Sequence, residues 1–385
     1  MAGSNGTHYN IAVIGSSPKF RVNLLTRRPE LFDTKCVKGV TATKELVTVG
    51  KIHAVSKNPA EVCKGTKVYI ISSPVNAQED LLKQIQPYVE YGSIIGSVYG
   101  QGAFDLIAQG VLGADIKNKN LTIFSLFNIP STCKVSVPGK EVVFIGPKNY
   151  LSCAVLPKSR QYMIQHLCMD LWRVPVTITD NFLSIMLTPG NQIIHPGRLL
   201  GLYENKKPYP LNSVPYFYVT LNQTSADNME ELSKEICQIK AEIIKRFPKV
   251  NLDDILPLKD RIIKQYGDMV KDKSSLLTCF TTNTGYDVMT VPMNQTEEGK
   301  FVLNTNARTF VEDIPFGLCV LKDLAEKLGL EVPGITRSIV WHQDILGKQY
   351  VKDGRLNPAL LHETGAPSRY GYKTLEELVR HYDLA

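Results

Sequence analysis

The sequence predicts an α/β domain built on a doubly wound parallel sheet, followed by a mostly α-helical domain. Three observations carry this. Up to about Asp180 the chain alternates short β-branched runs with helical patterns, the signature of βαβ units. Beyond Asn181 the pattern changes to long amphipathic segments with almost no strand signal. A length of 385 residues exceeds what one ordinary core organises. The division is placed at residues 1–182 and 183–385, with a ligand cleft expected where the two domains face each other.

Taken in order, the candidate strands are residues 11–15, 20–26, 68–72, 93–97, 121–125 and 141–145. Between them "NAQEDLLKQIQPYVE" and "GAFDLIAQGVLG" carry apolar residues at helical spacing. In the second half, "SADNMEELSKEICQIKAEIIKRFP" is the clearest helix, with Ser225 as its N-cap and Lys, Arg and Pro at its end. Helical patterns follow over 252–271, 317–328 and 375–382.

Composition narrows the function classes. Hydrophobic residues make up 43% and charged residues 21%, as in a soluble globular protein. No apolar run reaches the roughly 18 residues of a membrane span, and "MAGSNGTHYN" lacks the features of a signal peptide. The expected location is cytoplasmic, with no membrane partner. Eight scattered cysteines without a C-x-x-C pair offer neither a metal knuckle nor a disulfide framework, so no metal is expected. Four N-x-T sequons, at Asn5, Asn120, Asn222 and Asn294, read as chance in that setting. A net charge of +7 without clustered runs argues against nucleic acid and suits a small anionic ligand.

Several motifs can carry chemistry. Loops at the carboxyl ends of strands line the crevice of a doubly wound sheet, which singles out Ser73 and Pro74 after "VYIISS", and Gly100, Gln101 and Gly102 after "SIIGSVYG". The plain alternative for all of these is an ordinary turn. His195, in "NQIIHPG", sits at a break in structure and can serve as a general acid and base, although a lone histidine is more often structural. Arg308 and Asp313 precede a helical pattern, where capping and a surface ion pair are the plain roles.

Together, "SVYGQGAFD", "NQIIHPG" and "RTFVEDIPFGLCVLKDLAEKLG" resemble the octopine/nopaline dehydrogenase family, the opine dehydrogenases, from about Arg27 to the end of the chain. The resemblance implies a Rossmann-type domain followed by a helical substrate domain. It also implies NAD(H)- or NADP(H)-dependent reductive condensation of an α-keto acid, usually pyruvate, with the amino group of an amino acid. On it, His195 and Asp313 form a catalytic pair, Arg308 holds a substrate carboxylate, and Gln101 and Cys133 line the substrate site. A carboxylate beside an imidazole fixes its tautomer and favours its protonated form, which suits delivery of a proton to a departing hydroxyl. The partners implied are small molecules, with the chain a monomer or homodimer.

One stretch departs from that pattern. With "IAVIG" as the first strand, Gly15 is followed by Ser16, Ser17 and Pro18, and the second strand begins almost at once. No room remains for a helix of ~10 residues. The expectation is a Rossmann-type domain whose glycine-rich loop and first helix are deleted, leaving Gly15 and Ser16 as cofactor-binding candidates with weak or absent binding; a shortened anion-binding turn at Ser16 and Ser17, or upstream "GSNG", is the other option. Arg27 and Arg28, after the second strand, lean toward a 2′-phosphate and hence NADP; Glu30 keeps NAD open. Two further readings stand beside the enzyme: a form that binds substrate or a partner without cofactor, and a related two-domain dehydrogenase acting on a hydroxyl substrate.

Overall fold

The apolar run that ends at Ile14 is helix rather than strand. In the computed structural model, which describes residues 4–286 and 289–382, helix α1 spans Asn5–Ile14, and the Ser4 hydroxyl caps it by accepting the Thr7 N–H at 3.1 Å. This corrects two expectations at once. Residues 11–15 do not form the first strand, and the helix expected to be deleted is present in their place. The physical reason is burial on every side: each residue from Thr7 to Ile14 is buried, and a short apolar run buried all round carries no periodicity to separate helix from strand.

The polar groups of α1 are satisfied internally. His8 Nε2 accepts the Gly139 N–H at 2.7 Å, and Asn10 accepts the Trp172 indole N–H at 2.8 Å. Ser4 and Thr7 both donate to the carbonyl of Ser72, at 3.1 and 3.0 Å.

The chain divides into two compact units, residues 1–100 with 104–179, and 101–103 with 180–385. The boundary therefore falls three residues before the expected one, and Gln101–Ala103 group with the second unit.

In the first unit, β1 (Asn23–Leu25), β2 (Cys36–Val40), β3 (Leu46–Lys51) and β4 (Ala54–Ser56) precede the short helix α2 (Pro59–Cys63). Then come β5 (Val68–Ile71), α3 (Gln78–Ile85), β6 (Ile94–Ser97), α4 (Phe104–Leu112), α5 (Asp115–Asn118) and β7 (Thr122–Leu126). Strands β8 (Ser131–Val137), β9 (Glu141–Pro147) and β10 (Leu151–Leu156), helix α6 (Gln161–Trp172) and strand β11 (Val176–Ile178) complete it. Strands β5, β6 and β7 pair in parallel and join β10 and β11 in a five-stranded sheet of order β11-β10-β7-β6-β5. A four-stranded sheet of order β3-β2-β9-β8 carries α1 on its face. Strands β1 and β4 form a separate parallel pair. The doubly wound arrangement is thus present but interrupted between β1 and β5.

In the second unit, α7 (Phe182–Leu187), α8 (Asn191–Leu202), α9 (Gln223–Arg246), α10 (Leu258–Tyr266) and α11 (Leu276–Thr281) are followed by the hairpin β12 (Met293–Gln295) and β13 (Phe301–Leu303). A π-helical segment, Thr309–Leu318, runs into α12 (Cys319–Leu328). Helix α13 (Pro333–Leu346), the two-residue strands β14 (Val351–Lys352) and β15 (Arg355–Leu356), and α14 (Leu375–His381) follow. Helix α9 starts three residues earlier than expected: Asn222 is the N-cap, accepting the Ser225 N–H, and Ser225 lies inside the helix. Helix α10 starts only after Pro257, because a residue preceding proline avoids the helical region. Glu235, buried in α9, accepts the N–H groups of Gly334 and Ile335 at 2.6 and 2.7 Å and so caps α13 across the unit.

Two stability predictions follow from these packings. A Cβ on Gly50 of β3 would lie 1.8 Å from the Ile11 carbonyl oxygen of α1, so Gly50→Ala is expected to destabilise the first unit by about 2 kcal/mol or more in chemical denaturation. An unchanged midpoint would mean α1 does not dock there. In α13, His342 is buried, with Nδ1 donating to the Ser338 carbonyl at 2.7 Å, and burial pushes its pKa down to about 4. A depressed imidazole is neutral in the fold and protonated in the unfolded chain between about pH 6.5 and 4, so its contribution is present above that window and lost as pH falls through it. Relative to His342→Asn, the native chain should lose on the order of 2 kcal/mol more stability between pH 7 and 4.5; parallel pH profiles for the two would refute this.

Candidate active site

Helix α8 carries "NQIIHPGRLLGL" and is shaped by what it packs against. Pro196 lacks an N–H for the carbonyl of Gln192, which loosens the helix beside His195. Gly201 lets α8 approach α9 closely, since a Cβ there would lie 2.4 Å from the backbone of Ser225. Between these points, Arg198 is 1% exposed. Its guanidinium donates to the carbonyls of Phe217 (2.8 Å), Tyr216 (3.1 Å) and Thr220 (3.2 Å). Burial lowers its pKa to about 10, still charged at neutral pH. Arg198 thereby clamps the loop that brings Phe217 and Tyr218 to His195.

His195 and Asp313, 118 positions apart, meet: Nδ1 lies 2.7 Å from Asp313 Oδ2. The Asp313 side chain is 1% exposed and that of His195 15%, so the carboxylate is sealed while the imidazole keeps an open edge. An ionised carboxylate only accepts, which puts the proton on Nδ1 and leaves Nε2 as the working nitrogen. The Tyr218 hydroxyl lies 3.4 Å from Nε2, and the Phe217 ring meets the imidazole edge-on at 5.0 Å. Tyr218 stacks on Tyr286 at 4.1 Å, and burial raises its pKa, keeping the hydroxyl protonated.

Asp313 sits in the π-helical segment rather than at a helix start, so it is not a cap. Its neighbour Glu312 is buried and takes Arg308 in a two-pronged ion pair, 2.9 Å to Nε and 2.7 Å to Nη2. Burial raises the Glu312 pKa against the pull of that guanidinium. Arg308 is therefore engaged by an internal carboxylate, five positions ahead of Asp313. Gln101 is 6% exposed and donates to the Thr188 carbonyl at 3.3 Å, which also accepts from Gln192 at 2.8 Å. Arg261 donates to the next carbonyl, that of Pro189. The "LTPGNQ" turn ahead of α8 is held by these three side chains.

The remaining expected residues lie in the first unit. Ser73 and Pro74 follow β5 at its carboxyl end, and the Ser73 hydroxyl is buried without a partner among the described residues. Arg27 and Arg28 follow β1 and are exposed; the Arg28 N–H is held by the Thr26 hydroxyl at 3.1 Å. Gly15 and Ser16 are corrected: Gly15 is the C-cap of α1 and the Ser16 hydroxyl donates to Val13 O at 2.8 Å. They occupy the carboxyl end of the helix, where its dipole repels an anion. The amino end, at Ser4 to Gly6, belongs to the "GSNG" option. Cys133 is also corrected, from substrate lining to core: it is 3% exposed within the apolar cluster, and burial raises its thiol pKa to about 12.

Sequence reasoning missed Tyr218, Arg198 and Glu312. Only the last two left a trace, as charges embedded in apolar runs, "HPGRLL" and "TFVEDI". Among the described residues, no cluster of His, Cys, Asp and Glu is placed to hold a metal ion, and no helix is long and apolar enough to cross a membrane.

Comparison with known proteins places the chain among described families. Residues 178–346 match the family model of the NAD/NADP octopine/nopaline dehydrogenase α-helical domain. The chain is 29% identical to tauropine dehydrogenase of Arabella iricolor over 98% of each chain. It is 30% identical to opine dehydrogenase of Haliotis discus hannai, over 86% of this chain and 82% of the relative. Among solved structures, octopine dehydrogenase with NADH and L-arginine superposes with a TM-score of 0.83 at 23% identity, covering 98% of this chain and 96% of the other. The family match and these relatives establish that the chain belongs to the octopine/nopaline, or opine, dehydrogenase family.

Proposed function

We propose that this chain reductively condenses an α-keto acid such as pyruvate with the amino group of an amino acid, forming a secondary-amine dicarboxylate. The observation that carries the reading is the buried Asp313 carboxylate on His195 Nδ1, which leaves Nε2 at an accessible edge. Attack of the amine nitrogen on the keto carbon gives a carbinolamine. Protonated at Nε2, His195 delivers a proton to its hydroxyl, water leaves and a C=N bond forms; Asp313 holds the ring in register and balances the charge. The nicotinamide cofactor supplies the hydride that reduces C=N. General acid–base help of this kind contributes ~10²- to 10⁴-fold. We assign Arg308 to a substrate carboxylate, met by the charge of a guanidinium that stays 43% exposed beside its pair with Glu312. Gln101 acts by holding the turn that leads into α8.

The first unit has groups that suit a dinucleotide. The amino end of α1 abuts the carboxyl end of β5 through Ser4, Thr7 and Ser72, which is where backbone N–H groups and the helix dipole favour a pyrophosphate. The unpartnered Ser73 hydroxyl nearby adds a donor. Exposed Arg27 and Arg28 stand where an adenosine 2′ substituent is read after the second strand of such a domain, which favours NADPH.

Purified chain should oxidise NAD(P)H only when keto acid and amine are both present. His195→Ala should lower kcat ~10²-fold or more, and Asp313→Asn, which allows the wrong tautomer, comparably, with little change in KM. Turnover without amine would favour the hydroxyl-acting dehydrogenase. Fluorescence titration should give tighter binding of NADPH than of NADH, with the gap narrowed in Arg27→Ser/Arg28→Ser; a preference for NADH would move the reading to Glu30. Absence of any cofactor binding by a folded chain would support the substrate- or partner-binding form instead.

A further inference from the structure

The hydroxyl of Tyr218 takes no part in the steps assigned to His195 above, yet the second unit holds it firmly in place. Its backbone is fixed by Arg198, whose guanidinium takes the carbonyls of Phe217 on one side and Thr220 on the other. The Phe217 N–H donates to the Met289 carbonyl at 2.7 Å, and the Tyr218 carbonyl accepts the Leu221 N–H at 3.0 Å. The ring lies nearly parallel to those of Phe280, at 5.7 Å, and Tyr286, at 4.1 Å, with Phe217 tilted against it at 4.8 Å. Stacking of this kind needs only the ring, and a hydroxyl carried into an aromatic cluster costs free energy unless it finds a partner. Among the described residues that partner is His195 Nε2, at 3.4 Å.

We propose that Tyr218 is a catalytic residue whose hydroxyl converges with His195 Nε2 on one substrate oxygen, first the keto oxygen and then the carbinolamine hydroxyl; this role rests on the reductive condensation proposed above. The spacing carries it. At 3.4 Å the two atoms are at the long end of hydrogen bonding, and an oxygen about 2.8 Å from each, an ordinary hydrogen-bond length, fits against both. While the imidazole proton is on Nδ1, Nε2 accepts from the phenol. Once Nε2 is protonated it no longer accepts, and the phenol proton turns to the substrate oxygen. As the amine nitrogen bonds to the keto carbon, the C=O π pair moves onto oxygen, so negative charge forms where both donors point. Nε2 gives that oxygen its proton, and the new ammonium nitrogen returns one to Nε2. A second proton from Nε2 then releases the hydroxyl as water, while the nitrogen lone pair closes C=N. Tyr218 keeps its own proton throughout, since burial raises its pKa above the usual phenol value. A donor fixed in advance needs no reorganisation as the charge develops. Hydride addition to C=N involves no oxygen, so Tyr218 acts before that step and not in it.

The test is Tyr218→Phe in the full chain, which keeps the ring and its stacking, read in both directions of the reaction. In condensation, kcat should fall ~10²-fold with little change in KM for the keto acid, as for loss of one preorganised donor. In reverse, the purified product and oxidised cofactor are mixed rapidly with enzyme. The first turnover reports hydride transfer alone and should keep its native rate constant, which also shows that the variant is folded. The steady state that follows requires water to add to C=N and should fall ~10²-fold. A role in packing alone predicts native behaviour for Tyr218→Phe and impairment only in Tyr218→Leu, which loses the stacked ring; that pattern would overturn the proposal. So would a first turnover slowed in step with the steady state. A native chain that forms no product would overturn the condensation and this role together, whereas native turnover matched by Tyr218→Phe would overturn this role alone.

Discussion

The hydrogen bond between His195 Nδ1 and Asp313 is the contact on which the rest of the second unit turns. It joins a helix and a π-helical segment far apart in sequence, and it works only if both arrive rigidly. The structure meets that condition with unusual means: a proline and a close-packed glycine in α8, and an irregular helix on the other side. Irregular helix turns of this kind recur at functional sites because they point adjacent residues at unrelated partners. Here Glu312 turns to Arg308 while Asp313 turns to His195, so two neighbouring buried acids serve separate partners.

Arg198 shows how a buried charge can be tolerated without a counter-charge. Among the described residues, its guanidinium donates to three main-chain carbonyls and to the hydroxyls of Thr220 and Ser225. Charge-assisted bonds to several carbonyls offset much of the desolvation cost, which would otherwise amount to several kcal/mol. The result is a loop, residues 216–220, fixed in conformation without packing alone having to fix it. Loss of the fork geometry in a lysine would leave carbonyls unpaired, which is why the two cations are not equivalent at this position.

Much of this was legible in the chain. The parallel strands β5, β6 and β7, the long helix α9 and the change of pattern near residue 180 all have periodicities that survive partial burial. The pairing of His195 with Asp313 was visible through the motifs that resemble the family, while sequence spacing alone left both residues with structural roles. The failure at residues 11–15 has a definite cause. "IAVI" is buried on all sides in α1, so no polar face marks its period, and the capping signal at Ser4 lies seven residues upstream of the run. With that segment taken as a strand, Gly15 and Ser16 stand at a strand end, whereas in the structure they follow the last turn of α1. Arg198 and Tyr218 were hidden for another reason: their roles depend on main-chain carbonyls and stacked rings that only the folded chain brings together.

The placement of Gln101–Ala103 with the second unit has a consequence for modularity. The chain passes between units at three points rather than one, and the short excursion carries the amide that holds the Thr188 carbonyl. The helical unit is therefore not a cassette that could be lifted out at residue 180 and grafted elsewhere intact. Its catalytic helix is braced by a tripeptide that the sequence delivers some eighty residues early, so any exchange of domains within such a family has to carry that loop along with the helices it supports.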